Sequence, residues 1–204
     1  LMRYLLAALL LMAALPLCAA PASAQGLLPF TVEGRAGMGV PVDDFAAGAE
    51  PGYLLEATAK VSPLPFVTVY AGWSFADFGS DSDGAVAGLD TSVQDSGYRV
   101  GGELSVPLAG LLSGVAPYGH MGFIFNKAEI EVPGDGTNTL STTSDRTRGF
   151  EAGAGIRVGL APLVSLVPEV RYRSYKPEFM TAPTVQIANE IRYLTFSLGA
   201  ALHF

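Results

Sequence analysis

The sequence predicts an all-β fold: an eight-stranded antiparallel up-and-down transmembrane β-barrel, preceded by a cleavable signal peptide. Three observations predict it. Half of the 204 residues are hydrophobic and the mean hydropathy is +0.36. Yet beyond residue 24 no apolar run approaches the ~20 residues that a spanning helix needs. From Phe30 onward the dominant hydrophobic period is two, not the longer helical value. The alternating segments are joined by connections that are by turns short with proline and long and polar. A closed barrel has that layout, and its closure pairs every backbone group inside hydrocarbon.

The first residues are set apart from this pattern. Met2-Arg3 opens a short basic region, Leu5 to Leu17 is an apolar stretch of signal-peptide length, and Ala22-Ser23-Ala24 forms an A-x-A cleavage site before Gln25. Residues 1–24 are therefore expected to leave as a signal peptide, with 25–204 forming the barrel. Pro16 and Pro21 argue against a membrane helix here, and Pro16-Leu17 are poor neighbours for a lipidated Cys18. Cys18 is the single cysteine. Its loss with the signal would leave no disulfide, thiol nucleophile or thiolate metal site.

The strands are expected at 30–40, 53–61, 65–77, 97–106, 115–130, 150–160, 164–175 and 193–204. The last shows the alternation best, with Leu194, Phe196, Leu198, Ala200, Leu202 and Phe204 opposite Tyr193, Thr195, Ser197, Gly199, Ala201 and His203. Segment 150–160 sets Phe150, Ala152, Ala154, Ile156 and Val158 against Glu151, Gly153, Gly155, Arg157 and Gly159. In 164–175, Pro168 interrupts the apolar face and predicts a bulge or weakened pairing. Short turns fall near Ser62–Leu64, Pro107–Pro117 and Ala161–Leu163. The stretches 41–52, 78–96, 131–147 and 176–189 read as long polar loops, and no helix is expected after the signal.

Alternation alone also fits a soluble lipocalin-like barrel with its apolar face inward. Three features put that face outward instead. The polar face is rich in glycine (Gly37, Gly39, Gly101, Gly153, Gly155, Gly199), which suits a crowded lumen. Aromatic residues of apolar parity (Tyr53, Trp73, Phe75, Tyr98, Phe125, Phe150, Tyr172) gather near the long-loop ends, as an interfacial girdle requires. The final alternating strand also ends on Phe204.

With its signal, its four hairpins, the strand Phe150-Glu-Ala-Gly-Ala-Gly-Ile-Arg-Val-Gly159 and the terminal Leu198-x-Ala200-x-Leu202-x-Phe204, the chain resembles eight-stranded outer-membrane barrels of the OmpA/OmpX and opacity-protein type. The resemblance implies a place in the outer membrane of a Gram-negative bacterium, with lipid and lipopolysaccharide as surroundings. It also implies that the outer-membrane assembly machinery reads the C-terminal strand through Phe196, Leu198, Leu202 and Phe204. Related barrels serve as anchors, adhesins, narrow channels and enzymes, so the fold leaves function open.

Inward parity collects Glu33, Glu56, Glu103, Glu151 and Glu169 beside Arg35, Lys60, Arg99, Arg157, Arg171 and Arg173, a lumen of charge +1. Buried charges must be paired, and eight strands leave an interior only wide enough for side chains. A salt-bridged plug is expected ahead of a polar channel. The formal charge is −7, or −8 once Arg3 leaves, so about −9 falls elsewhere. All nine Asp residues are assigned to loops or strand ends, outside the lumen network.

Lys127, Arg146, Arg148, Lys176 and Arg192 share outward parity on the last four strands. At ~3.3 Å per residue and ~40° tilt they stand about 30 Å above the short turns, just past an apolar band of about 25 Å. Such a rim could bind lipopolysaccharide phosphates, although Glu129 and Glu190 dilute it.

Enzymatic readings are thin. His120 and His203 both point inward by parity, and no serine is obviously paired with a lipid-facing histidine. The glycine runs Gly34-x-x-Gly37-x-Gly39 and Gly153-x-Gly155-x-x-x-Gly159 lack a strand-to-helix context for phosphate. Asp81-Ser82-Asp83-Gly84 lacks the ligand spacing and bidentate Glu of a calcium loop. No cofactor or metal is expected, and the acidic balance excludes nucleic acid as a partner. The sequence therefore predicts a monomeric, non-enzymatic outer-membrane barrel that supports envelope integrity and displays loops to an external ligand. A narrow porin, a lipid-modifying enzyme and a soluble carrier are the alternatives.

Overall fold

The computed structural model describes residues 28–79, 92–106, 114–133, 139–178 and 190–204. The expected signal peptide and the Asp81–Gly84 segment lie outside them. The strands are β1 (Phe30–Pro41), β2 (Gly52–Leu64), β3 (Val67–Gly79), β4 (Ser92–Ser105), β5 (Val115–Pro133), β6 (Thr139–Thr143), β7 (Thr147–Ala161), β8 (Val164–Tyr175) and β9 (Ile191–His203). All pairings are antiparallel, in the order β4-β3-β2-β1-β9-β8-β7-β5-β6, and β4 also pairs with β5. That last pairing closes the sheet on itself. The terminal strands meet through β1 and β9, where Val32 faces Leu202 and Met38 faces Phe196.

The wall has eight staves because β6 and β7 follow one another along β5. Thr143 faces Glu129 and Thr147 faces Asn126, with a break between them. Ser144 fills the break: its hydroxyl accepts the Ala128 amide at 2.9 Å, and its own amide donates to the Ala128 carbonyl at 2.8 Å. The reading of 131–147 as loop is therefore corrected, since β5 reaches Pro133 and returns as β6.

Other expectations shift for local reasons. The turn expected at Ser62–Leu64 sits instead at Pro65–Phe66. A register irregularity between Val61 and Leu64 takes up Pro63, which has no amide for the ladder. At Pro168 the pairing is weakened, one of the two expected outcomes: Gly155–Glu169 and Val158–Leu166 keep one register, so there is no bulge, but the pairs between them are missing. Pro117 lies inside β5, facing Ile156. The Asp43–Ala47 stretch, expected as loop, forms a single 3-10 turn that carries Phe45 inward.

Side chains sort by parity around the whole wall. Val32, Leu55, Val69, Trp73, Val100 and Met121 are exposed, whereas Glu33, Glu56, Tyr70, Arg99 and His120 are buried. The apolar coat faces out and the ionic side chains face in.

Near the long-loop end this polarity reverses. Outward positions become Asp77, Ser96, Lys127, Arg148, Ser174 and Arg192. Inward ones become Leu54, Ala76, Phe78, Ile124, Ala128 and Ile191, which cluster with Phe45, Tyr175 and Tyr193. The change comes after about five outward apolar residues per strand, or about 25 Å of tilted strand. Beyond it the wall stands in water, and the hydrophobic effect acts on its inner face, as in any water-borne β-sheet.

Candidate functional site

The lumen is the first candidate. Each of its eleven expected charges lies inside the barrel, in two connected groups. Toward the long-loop end, Arg171 donates to Glu56 at 2.6 Å and Glu151 at 3.4 Å and also engages Glu169. Arg99 holds Glu56 at 3.1 Å and Glu151 at 2.9 Å, and Arg173 meets the same two carboxylates. Toward the short-turn end, Lys60 bridges Glu33 at 2.9 Å and Glu103 at 2.8 Å, and Arg157 donates to Glu103 at 2.6 Å. Arg35 links the groups through Glu33 and, at 2.6 Å, Glu169. Tyr70 and Tyr118 donate to Glu151 and Glu169, each at 2.7 Å. Every carboxylate thus meets at least two donors, the condition for leaving a charge out of water.

The sequence reading missed one member. Asp95 is buried in β4, where its carboxylate accepts Asn126 at 2.7 Å, Tyr175 at 3.1 Å and Tyr193 at 2.5 Å. This corrects the assignment of every Asp to loops or strand ends. With six acids against six bases, the interior is neutral rather than +1. The sequence signal was there: Asp95 shares parity with Arg99 and Glu103. It was lost because β4 was expected to begin at 97, where outward residues turn polar.

Above the ions lies the apolar cap. Phe78 packs edge-on to Phe45 and Tyr193, at ring separations of 5.3 and 5.0 Å. Gly39 makes room for this: a Cβ there would stand 2.7 Å from the Phe78 ring. Tyr193 joins the layers, since its hydroxyl also accepts from Arg173 at 3.3 Å. The outer mouth is thus filled by aromatic rings and the waist by ion pairs.

The short-turn mouth is polar. Ser165 Oγ lies 2.8 Å from His203 Nε2, and Thr31 Oγ1 lies 3.0 Å from Nδ1. No carboxylate among the described residues orients the ring, and Ser165 is buried. His120 lies deeper, 3.4 Å from Glu169. Among the described residues no three His, Cys, Asp or Glu side chains are placed to hold a metal ion.

The rim is the second candidate, and the structure divides its five residues. Arg192 is ion-paired with Asp43 at 3.1 Å and Glu190 at 2.6 Å. Hydrogen bonds from Arg192 and Ser174 hold the Glu190 carboxyl below the usual carboxylate range. Arg146 stacks over Tyr98 at 4.6 Å and Arg148 over Phe123 at 5.5 Å. Arg146, Arg148 and Lys176 line one groove of about 570 Å³, and Lys127 stands beside them on β5. The C-terminal row faces outward, with Phe196, Leu198 and Phe204 exposed and Leu202 half-buried. Phe204 lies 6.2 Å from Phe30 across the closing seam.

No curated protein matches this sequence. Solved structures share its fold at low identity. Neisserial surface protein A is 16% identical with a TM-score of 0.57, covering 86% of this chain and 97% of that one. OprG of Pseudomonas aeruginosa is 14% identical with a TM-score of 0.56, covering 87% and 96%. Ail, the attachment invasion locus protein of Yersinia pestis, solved with the heparin analogue sucrose octasulfate, is 14% identical with a TM-score of 0.51, covering 87% and 99%. The outer membrane protein beta-barrel domain matches residues 9–204. Closed eight-stave wall, outward apolar coat and family match agree, and the chain belongs to the outer membrane protein beta-barrel family, whose place is the Gram-negative outer membrane.

Proposed function

We propose that this protein is a sealed, non-enzymatic barrel that contributes to envelope integrity and displays its long loops outside the cell. The observation that carries this reading is the double filling of the lumen. A water-filled path would have to pass both the aromatic cap around Phe78 and the ion-paired layer around Arg171, which is 0% exposed. Neutral, mutually paired charges offer a passing ion little reason to enter and no room beside them. A rigid wall with recognition carried on its loops is the remaining use of such a scaffold. An external surface ligand for those loops, and entry into the membrane through the assembly machinery via Phe196, Leu198, Leu202 and Phe204, belong to the same proposal.

The narrow porin is the competing reading, and planar bilayer recording of the pure, folded protein separates the two. The sealed barrel is expected to give no steady conductance. Sustained openings of reproducible size would overturn it. Against catalysis, the Ser165–His203 pair has no carboxylate partner among the described residues, and the Ser165 hydroxyl is buried. Acyl release from outer-membrane lipid by the pure protein would overturn that part.

A further inference from the structure

The distribution of cations points to a binding site. Of the twelve Lys and Arg residues, Arg3 lies outside the described part. The six lumen cations and Arg192 are all in ion pairs. Lys127, Arg146, Arg148 and Lys176 are left, without a carboxylate at ion-pairing distance among the described residues, in a chain with an excess of acid. These four are neighbours. The β5–β7 ladder ends at Asn126–Thr147, with Lys127 and Arg146 next along their segments. The β7–β8 register, in which Gly149 faces Tyr175, carries Arg148 opposite Lys176.

Like charges facing each other across strands are destabilising unless something lies between them. What lies beside three of them is the groove of about 570 Å³, lined also by Ser174, Glu178 and Glu190, the last with its carboxylate held by Arg192 and Ser174. Stacking on the Tyr98 and Phe123 rings restricts Arg146 and Arg148, which lowers the entropy lost when they bind. The height selects the ligand. Arg148 stands twelve residues above Leu160 on β7, and Lys176 as far above Val164 on β8. At ~3.3 Å per residue and ~40° tilt, this is about 30 Å, where hydrocarbon gives way to headgroups.

We propose that Arg146, Arg148 and Lys176 bind the phosphate groups on the sugar headgroup of an outer-leaflet glycolipid, with Lys127 adding to the local field. The site rests on the reading of this chain as a membrane-inserted barrel. Guanidinium groups take phosphate oxygens two at a time, and Lys176 supplies a point charge beside them. Arg192, already neutralised by Asp43 and Glu190, is excluded from the site.

The test uses the full mature barrel folded in detergent, with lipopolysaccharide as the probe and binding read by native mass spectrometry and competition. The R146Q/R148Q/K176Q variant is expected to lose affinity at least about tenfold. Chemically dephosphorylated lipopolysaccharide should bind the wild type as weakly as the intact lipid binds the triple variant. Unchanged binding by the triple variant, or equal binding of the dephosphorylated lipid, would overturn the proposal. So would full competition by inorganic phosphate at the lipid's own concentration, which would make the site one for free phosphate. Heat-dependent gel mobility of each variant shows that it is folded, and the single R148Q variant repeats the test with less disturbance. A wild-type protein that is not heat-modifiable and does not enter vesicles would instead overturn the barrel reading beneath.

Discussion

Removing the guanidinium of Arg171 tests whether paired charges hold the waist of the barrel together. Arg171 is 0% exposed and donates to Glu56 at 2.6 Å and Glu151 at 3.4 Å, and also to Glu169. Arg171→Met keeps much of the volume and leaves three carboxylates short of one cation. Breaking a buried pair by deleting one partner costs about 3–5 kcal/mol, because the other charge is stranded. Here the carboxylates keep other partners: Arg99 and Arg173 on Glu56 and Glu151, and Arg35 on Glu169. The cost should therefore fall near the lower end, about 3 kcal/mol. Equilibrium urea unfolding from phospholipid vesicles would measure it. Trp73, the single tryptophan, reports the change, since it is 43% exposed on the lipid-facing surface and leaves lipid on unfolding. The double variant R171M/E56Q removes one charge of each sign and should recover at least about 1 kcal/mol of the loss. A single variant within about 1 kcal/mol of the wild type, or a double variant no better than the single, would refute the argument that pairing holds these charges in place.

Other parts of the structure make independent predictions. Asp95→Ala would leave the buried donors of Asn126, Tyr175 and Tyr193 without their acceptor and should cost about 2–4 kcal/mol, with Asp95→Asn milder, in the same unfolding assay. Phe78→Ala opens the apolar cap and should cost about 3–5 kcal/mol. Bilayer recording of that variant should still find no steady conductance, because the ion-paired layer beneath stays filled. A Cβ at Gly155 would stand 2.4 Å from the Tyr118 hydroxyl and 2.7 Å from the Pro168 carbonyl. Gly155→Ala should therefore displace Tyr118 from Glu169 and destabilise by about 1–3 kcal/mol, whereas exposed Ala154→Ser should be near neutral in thermal gel-shift assays. Phe204→Ala should slow insertion into the outer membrane in cells, seen as unfolded protein in pulse-chase samples, while refolding into detergent micelles stays close to normal.

Much of the wall was legible in the chain, because a strand in hydrocarbon must put apolar residues on one face and a closed barrel has only one other face. Leu198, Leu202, Glu151 and Arg157 declare their sides by parity alone. Legibility failed where the solvent changed. Above the aromatic girdle, parity no longer distinguishes lipid from lumen, so Ser92–Ser96 read as loop although β4 starts at Ser92. Leu54, Phe78 and Ile124, all of charge-bearing parity, were not expected to form an apolar core. Asp95 was lost with them.

By itself the sequence determined the barrel, the lipid-facing coat and the eleven charges that share the interior. The physical reason is that period-two alternation is a local property, enforced at every strand by the difference between hydrocarbon and lumen. The tertiary structure alone decided which charges pair, because pairing joins residues such as Glu56 and Arg171 from strands far apart in the chain. It also decided that the interior is neutral and that an apolar cap closes the outer mouth. Finally, it separated the rim into one neutralised arginine and a row of cations beside a groove. Hydrophobic surplus, which at first reads as a lipid coat alone, is shared between that coat and a water-borne core above it.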